Sequence, residues 1–197
     1  MKRFMILALA VVVPAAIAAA KSRNRQKSRQ RPAVVPSIDL TRYQGRWYEI
    51  ARFPNRFEKS CAGDVSATYT LSPDDSIRVL NECRKANGEL KHAEGRARQT
   101  DKERAPAKLE VRFAPAFLSF LPFVWGDYWV IALAPDYSYS VVGDANRDYL
   151  WVLSRTPLMD EAQYQQAIHS AAAQGYDVSR LVKTKHRVAS ENAVTTP

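Results

Sequence analysis

Asp39-Leu-Thr-Arg-Tyr-Gln-Gly-Arg-Trp-Tyr-Glu-Ile-Ala-Arg-Phe-Pro54 combines a capped turn, a glycine corner and an alternating strand. Asp39 and Thr41 are side chains that cap a short helical turn, and Gly45 supplies backbone that bends sharply without a Cβ penalty. From Trp47 the chain alternates, which places Trp47, Glu49, Ala51 and Phe53 on one face of a strand. A large indole at the start of such a face expects burial at one end of a sheet.

Outward from this stretch, the chain repeats one pattern. Gly63 to Leu71 alternates, with Val65, Ala67, Tyr69 and Leu71 on one side, and Pro73-Asp74-Asp75-Ser76 turns it into a strand whose inner face is Ile77, Val79, Asn81 and Cys83. Asn87-Gly88 leads into a polar strand, His92 to Arg98, and Lys108 to Phe113 points Leu109, Val111 and Phe113 inward. Asp127 to Leu133, Tyr137 to Val142 and Tyr149 to Arg155 bring the count to eight. Short strands with turns and no intervening helices predict an all-β, antiparallel barrel, which the family resemblance given below makes an up-and-down one. After it, Asp160 caps one helix running to Gly175, with a stripe of Tyr164, Ile168, Ala171 and Ala172 to pack outside the barrel. Arg180 to Lys183 is a final short strand.

Gly45-x-Trp47-Tyr48, followed by Asp136-Tyr137-x-Tyr139 and by Arg155 in Trp-Val-Leu-Ser-Arg, resembles the three sequence blocks of the lipocalin family. The second block has one residue fewer between its tyrosines than the usual form. The likeness covers roughly residues 37–183 and is nearest to bacterial and apolipoprotein D-like lipocalins. It implies an eight-stranded barrel with one external helix, closed at its base where the three blocks meet, with Arg155 over the face of Trp47. It also implies a ligand pocket lined by Tyr69, Asn81, Phe113, Tyr128 and Trp151, all on inward-facing positions. Asn81 stands out among them, because a carboxamide in an apolar barrel must find a hydrogen-bond partner.

The net charge of +9 suggests nucleic acid until its distribution is read. Residues 1–31 hold eight Lys or Arg and no acid, which leaves 21 basic against 20 acidic residues in the rest of the chain. The folded part is therefore nearly neutral, and no nucleic-acid partner is expected. Lys2 and Arg3 before the apolar run Phe4 to Ala20, ending Ala18-Ala19-Ala20, read as a secretory signal over 1–20. Residues 21–36 read as a basic disordered tether, 37–183 as the barrel domain and 184–197 as a flexible tail. Bacterial lipocalins often place a lipid-bearing Cys after the signal. Lys21 stands there instead, so the expected location is the periplasm or outer-membrane periphery without that anchor.

Catalysis finds little support in the residues. His92, His169 and His186 are too scattered for a metal site, and no cofactor motif is present. Cys83 is a nucleophile only if its thiol is free, and Glu49 is the one inward carboxylate, where proton transfer by epoxide chemistry wants a pair. The reading is a non-enzymatic carrier or store for a small hydrophobic ligand, a fatty acid or lysophospholipid, with a lipocalin-type enzyme or a structural envelope protein as alternatives. An exported chain favours a Cys61–Cys83 disulfide. A two-residue turn at Asp74-Asp75 opposes it by setting Cys83 opposite Ser66, unless the strand bends at Gly63. Finally, Phe117-Leu-Ser-Phe-Leu-Pro-Phe-Val-Trp125 is the most apolar stretch after the signal and falls in a loop at the barrel mouth. It suits a cap folded over the cavity, a homodimer contact or a membrane surface touched by Phe117, Phe120, Phe123 and Trp125; the membrane is the reading adopted.

Overall fold

The computed structural model describes residues 30–187. The signal and most of the basic tether lie outside the described residues, as does the tail beyond Arg187. Asp39 accepts hydrogen bonds from the Thr41 and Arg42 amides and so caps helix α1 (Leu40–Tyr43). Gly45, at φ +90°, then turns the chain into strand β1 (Gly45–Arg52). There follow β2 (Cys61–Leu71), β3 (Ile77–Lys85), β4 (Leu90–Gln99), β5 (Lys108–Arg112), β6 (Gly126–Leu133), β7 (Tyr139–Gly143) and β8 (Leu150–Ser154). Each pairs antiparallel with the next, and β1 pairs with both β2 and β8, so the eight strands close into a barrel. Closure removes the free edges that would otherwise invite pairing with other chains.

Helix α2 (Glu161–Ala173), capped by Asp160, lies on the outside. Its buried residues are Tyr164, Ala167 and Ala171, with Ile168 packed beside them. Ala172, expected in this stripe, is exposed; four positions at i, i+3, i+4 and i+7 already span the contact face, and Ala172 turns away from it. Beyond it β9 (Val182–Lys183) pairs with β1 through Ala51 and Arg52.

Two apolar clusters result, one inside the lower barrel around Trp47, Tyr69, Val79 and Leu109, the other between the barrel wall and α2 around Phe53, Trp129, Leu150 and Tyr164. The division corrects the expected face of β1. Trp47 and Glu49 do point inward, but the register against β8 shifts between Glu49 and Ala51, and Ala51 and Phe53 pack outward under the helix. A bulge of this kind adds one residue and reverses the alternation beyond it. Strict period-2 reading cannot see it.

Two boundary expectations also change. Within the expected tether, Ala33 exchanges hydrogen bonds with the Gln174 side chain, and the Val35 amide donates to the Val130 carbonyl at 2.9 Å. Within the expected tail, Thr184 to Arg187 are held as well: the Thr184 amide donates to Ile50, the Asp64 amide donates to Lys185, and Arg187 bonds Asp64. This strap spans β1 and β2 where the two strands have diverged, so it supplies partners for backbone groups that the sheet leaves free.

Cys61 and Cys83 form a disulfide, with Cα atoms 5.7 Å apart. The turn is a three-residue one, with Ser72 bonded to Ser76 and Asp75 at positive φ, which sets Ser66 opposite Glu82. Two further register shifts, between Ser66 and Gly63 and between Gly63 and Cys61, draw the cysteines together, with Asp64 at φ +52°. The expected bend near Gly63 is thus present. The crosslink restricts the unfolded chain and is worth about 3 kcal/mol for a loop of this length.

Candidate ligand-binding cavity

The barrel encloses a cavity of about 830 Å³, and Tyr69, Asn81, Phe113, Tyr128 and Trp151 all line it. Ala67, Ala93 and Ala97 leave the room. Ala51, expected on the same face as Trp47, faces α2 instead. Phe113 sits past the end of β5 at the rim, with its ring lying over Gly95. A Cβ on Gly95 would stand 2.8 Å from that ring and 2.6 Å from the Arg112 carbonyl, so only glycine permits this approach.

The floor is a chain of hydroxyls. Tyr69 bonds Tyr128 at 2.9 Å, Tyr128 bonds Tyr43 at 2.9 Å, and Tyr43 bonds Ser140 at 3.0 Å. Burial pushes the Tyr43 phenol up to about 12, and raises Tyr69 and Tyr128 as well, so all three stay protonated donors. Tyr43 and Ser140 escaped the sequence reading because neither lies on an alternating inward run that includes Tyr69 or Tyr128. Higher on the wall, Asn81 has a fully buried Oδ1 without a protein partner, so the hydrogen bond expected for this carboxamide does not come from the protein.

Below the floor Trp47 is fully buried and donates from Nε1 to the Tyr43 carbonyl at 2.8 Å. Arg155 lies 3.9 Å from its ring centroid and donates to the carbonyls of Arg42, Gln44 and Arg46. Tyr137, from the second block, presents its carbonyl to Arg155 and accepts the Asp39 amide on its hydroxyl. The three blocks therefore meet at the closed end, where their work is structural.

Toward the open end the structure adds a group that the sequence reading missed. Glu49 has a carboxylate neighbour, Glu58, and Arg52 touches both. Trp151 Nε1 donates to Glu58 at 3.1 Å, and Thr184 donates to Glu49. Glu58 lies in the β1–β2 loop, where no periodicity points a side chain, so nothing in the sequence paired it with Glu49. Burial, and then the Glu58 carboxylate, hold the Glu49 carboxyl well above the usual range. Its contribution to stability is therefore complete below about pH 4.5 and is lost as pH rises through the raised value. Glu49→Gln removes that loss. Urea midpoints should fall more steeply with rising pH in the parent than in the variant; parallel profiles would show that Glu49 titrates normally.

Cys83 also lines the cavity, but its sulfur is held in the disulfide and offers no thiolate. Among the described residues no His, Cys, Asp and Glu cluster is suited to a metal ion.

An antiparallel barrel floored by buried Trp47 under Arg155, with one external helix and an apolar cavity, matches a known family. The lipocalin-like domain family covers residues 38–186 of the chain. The protein is a lipocalin. It is 46% identical to temperature-induced lipocalin-1 of Arabidopsis thaliana over 165 residues, 83% of this chain and 88% of that one. To the outer membrane lipoprotein Blc of Escherichia coli K12 it is 38% identical over 76% of this chain and 80% of the other. To apolipoprotein D of Rattus norvegicus the identity is 33%, over 76% and 78%. Among solved structures, insecticyanin from Manduca sexta superposes with a TM-score of 0.61 over 80% of this lipocalin and 85% of its own chain, at 17% identity, a likeness of fold alone. Binding of a small hydrophobic ligand is the general activity of the family.

Proposed function

We propose that this lipocalin carries a single-chain amphiphile, a lysophospholipid or long-chain fatty acid, at the cell envelope, loading and unloading it with the barrel mouth against a membrane. The observation that carries the reading is the cavity of about 830 Å³ with an apolar wall, an aromatic lining and few polar groups. Tyr69, Asn81, Phe113, Tyr128 and Trp151 are the residues assigned to hold the ligand, with Asn81 Oδ1 taking a donor from it. The likeness to the outer membrane lipoprotein Blc supports an exported location. The cavity is also roomy where a structural protein would pack large side chains.

Trp151 lines the cavity and is half-buried, whereas Trp47 and Trp129 are buried in the two cores. Trp125 also lines the cavity, so a ligand reaches two indoles. Titration with a lysophospholipid should quench tryptophan fluorescence, and Trp151→Phe should remove the part of that signal that Trp125→Phe leaves. Native mass spectrometry of protein purified from its own envelope should show a bound lipid. Absence of both a quench and a co-purified lipid would refute the carrier reading.

A further inference from the structure

We infer that the cavity rim holds a subsite for an alkylammonium group, formed by the ring wall Phe57, Tyr149 and Trp151 with the carboxylates of Glu58, Asp144 and Asp148. The inference rests on the carrier reading and narrows its ligand to an amphiphile whose headgroup bears a positive nitrogen. The rings form a continuous wall along the cavity. Tyr149 and Trp151 are parallel within 5° at a centroid separation of 5.7 Å, and Phe57 follows Tyr149 at 5.8 Å. Aromatic faces carry the negative end of the ring quadrupole, and alkylammonium groups bind there with modest desolvation. The Trp151 N–H donates to Glu58, a charge-assisted bond that places a carboxylate at the edge of the wall.

Charge points the same way. The chain as a whole is basic, yet six acidic side chains line the cavity, Glu49, Glu58, Glu82, Asp127, Asp144 and Asp148, against Arg56 and Lys91; Arg52 pairs with Glu49 and Glu58, and Arg46 with Glu82, so the attraction centres on the aspartates. Lys91 donates to the Phe57 carbonyl and to Ser60, and Arg56 lies over Phe57 at 5.0 Å, itself a cation on this ring wall. Asp144 already accepts the Tyr149 and Asn146 amides, yet its carboxyl is held above the usual range, by burial first and also by the neighbouring Asp148 and Asp127. Asp148 and Asp127 beside the buried Asp144 carboxyl form a field that a bound cation relieves. A carboxylate headgroup at the same rim would meet repulsion. An anionic ligand would have to reach the hydroxyl floor of Tyr69 and Tyr128 instead, which gives the competing orientation.

The test uses the full chain and four probes with the same dodecyl tail, titrated by calorimetry below their micelle thresholds: dodecyltrimethylammonium, dodecylphosphocholine, the neutral dodecyl tetraethyleneglycol ether and dodecanoate. The ammonium probes should bind about tenfold more tightly than the ether, with dodecanoate weakest. Asp148→Asn and Tyr149→Leu should each reduce that preference several-fold and leave the ether unchanged, while Tyr149→Phe keeps it. Salt should shrink the preference, since the rim is open to solvent. Dodecanoate binding as tightly as the ammonium probes overturns the subsite and assigns the headgroup to the tyrosine floor. Preference that survives both Asp148→Asn and Tyr149→Leu overturns it too. If even the neutral ether fails to bind, the carrier reading itself falls.

Discussion

Arg155→Ala is expected to lower the stability of the barrel by about 3 kcal/mol. The guanidinium donates to carbonyls of Arg42, Gln44 and Arg46, which belong to α1, the corner after it and β1, and it also reaches the Tyr137 carbonyl between β6 and β7. Hydrogen bonds to a charged donor are worth about 1.5–3 kcal/mol each before screening, and the Trp47 face adds roughly 1 kcal/mol. Burial lowers the Arg155 pKa, so part of this gain is offset by desolvation, which is why the total stays near 3. For a domain of this size that corresponds to a fall in melting temperature of about 10 °C. Arg155→Lys should recover little, because one ammonium cannot serve several separated carbonyls and stack flat on an indole. Thermal unfolding followed by far-UV circular dichroism checks this. A shift under about 2 °C for the alanine variant would mean that the stack and its bonds are incidental to closure.

The base was legible because its parts are local: Trp47 two residues after a turning glycine, Arg155 at the end of a strand. Barrel topology fixes which ends meet, so three separate blocks could be placed together before any contact was known. The inward faces of β2 and β3 were legible for the same reason, and Tyr69 and Asn81 fell where alternation put them. Apart from the bend at Gly63, the sequence concealed the departures from that period. The bulge after Glu49 sent Ala51 and Phe53 outward, and two further shifts in β2 brought Cys61 to Cys83 although a regular hairpin would have kept them apart. Loop side chains were hidden as well. Glu58 and Phe57 depend on how the β1–β2 loop folds back over the mouth, which neither propensity nor spacing specifies.

Phe120→Ser combined with Phe123→Ser is expected to abolish most of the vesicle binding of this lipocalin, a loss of about 100-fold, with the barrel still folded. Phe117, Phe120 and Phe123 are 74%, 77% and 78% exposed, Phe117 and Phe123 on two short 3-10 turns, Ala116–Leu118 and Pro122–Val124, and Phe120 between them. They are joined at the same end by exposed Phe57 from the β1–β2 loop and Leu90 at the start of β4. The loop therefore does not fold inward as a cap that hides its rings. Trp125, expected among the membrane-facing residues, is held back. Its ring lies between Arg98 and Arg112, at 4.0 and 5.3 Å, and its N–H bonds the Ser119 carbonyl, so it anchors the loop to the barrel wall and leaves the three phenylalanines projecting. A phenylalanine buries about 150 Å² or more, which at 25 cal/mol per Å² approaches 4 kcal/mol per ring at full depth. Partial insertion of two rings into the headgroup boundary then gives about 3 kcal/mol, the 100-fold expected. Serine at both positions removes that gain; Phe123 also lines the cavity, whereas Tyr69, Asn81, Tyr128 and Trp151 stand on strands and keep their places. Co-sedimentation with phosphatidylcholine vesicles should thus fall while quenching by a soluble lysophospholipid persists. Vesicle binding that survives with ligand binding lost would identify the loop as part of the pocket, and a change from dimer to monomer in sedimentation velocity would assign the rings to a contact between two copies. Either result overturns the membrane reading, and only the first leaves the phenylalanines with a role in holding the ligand.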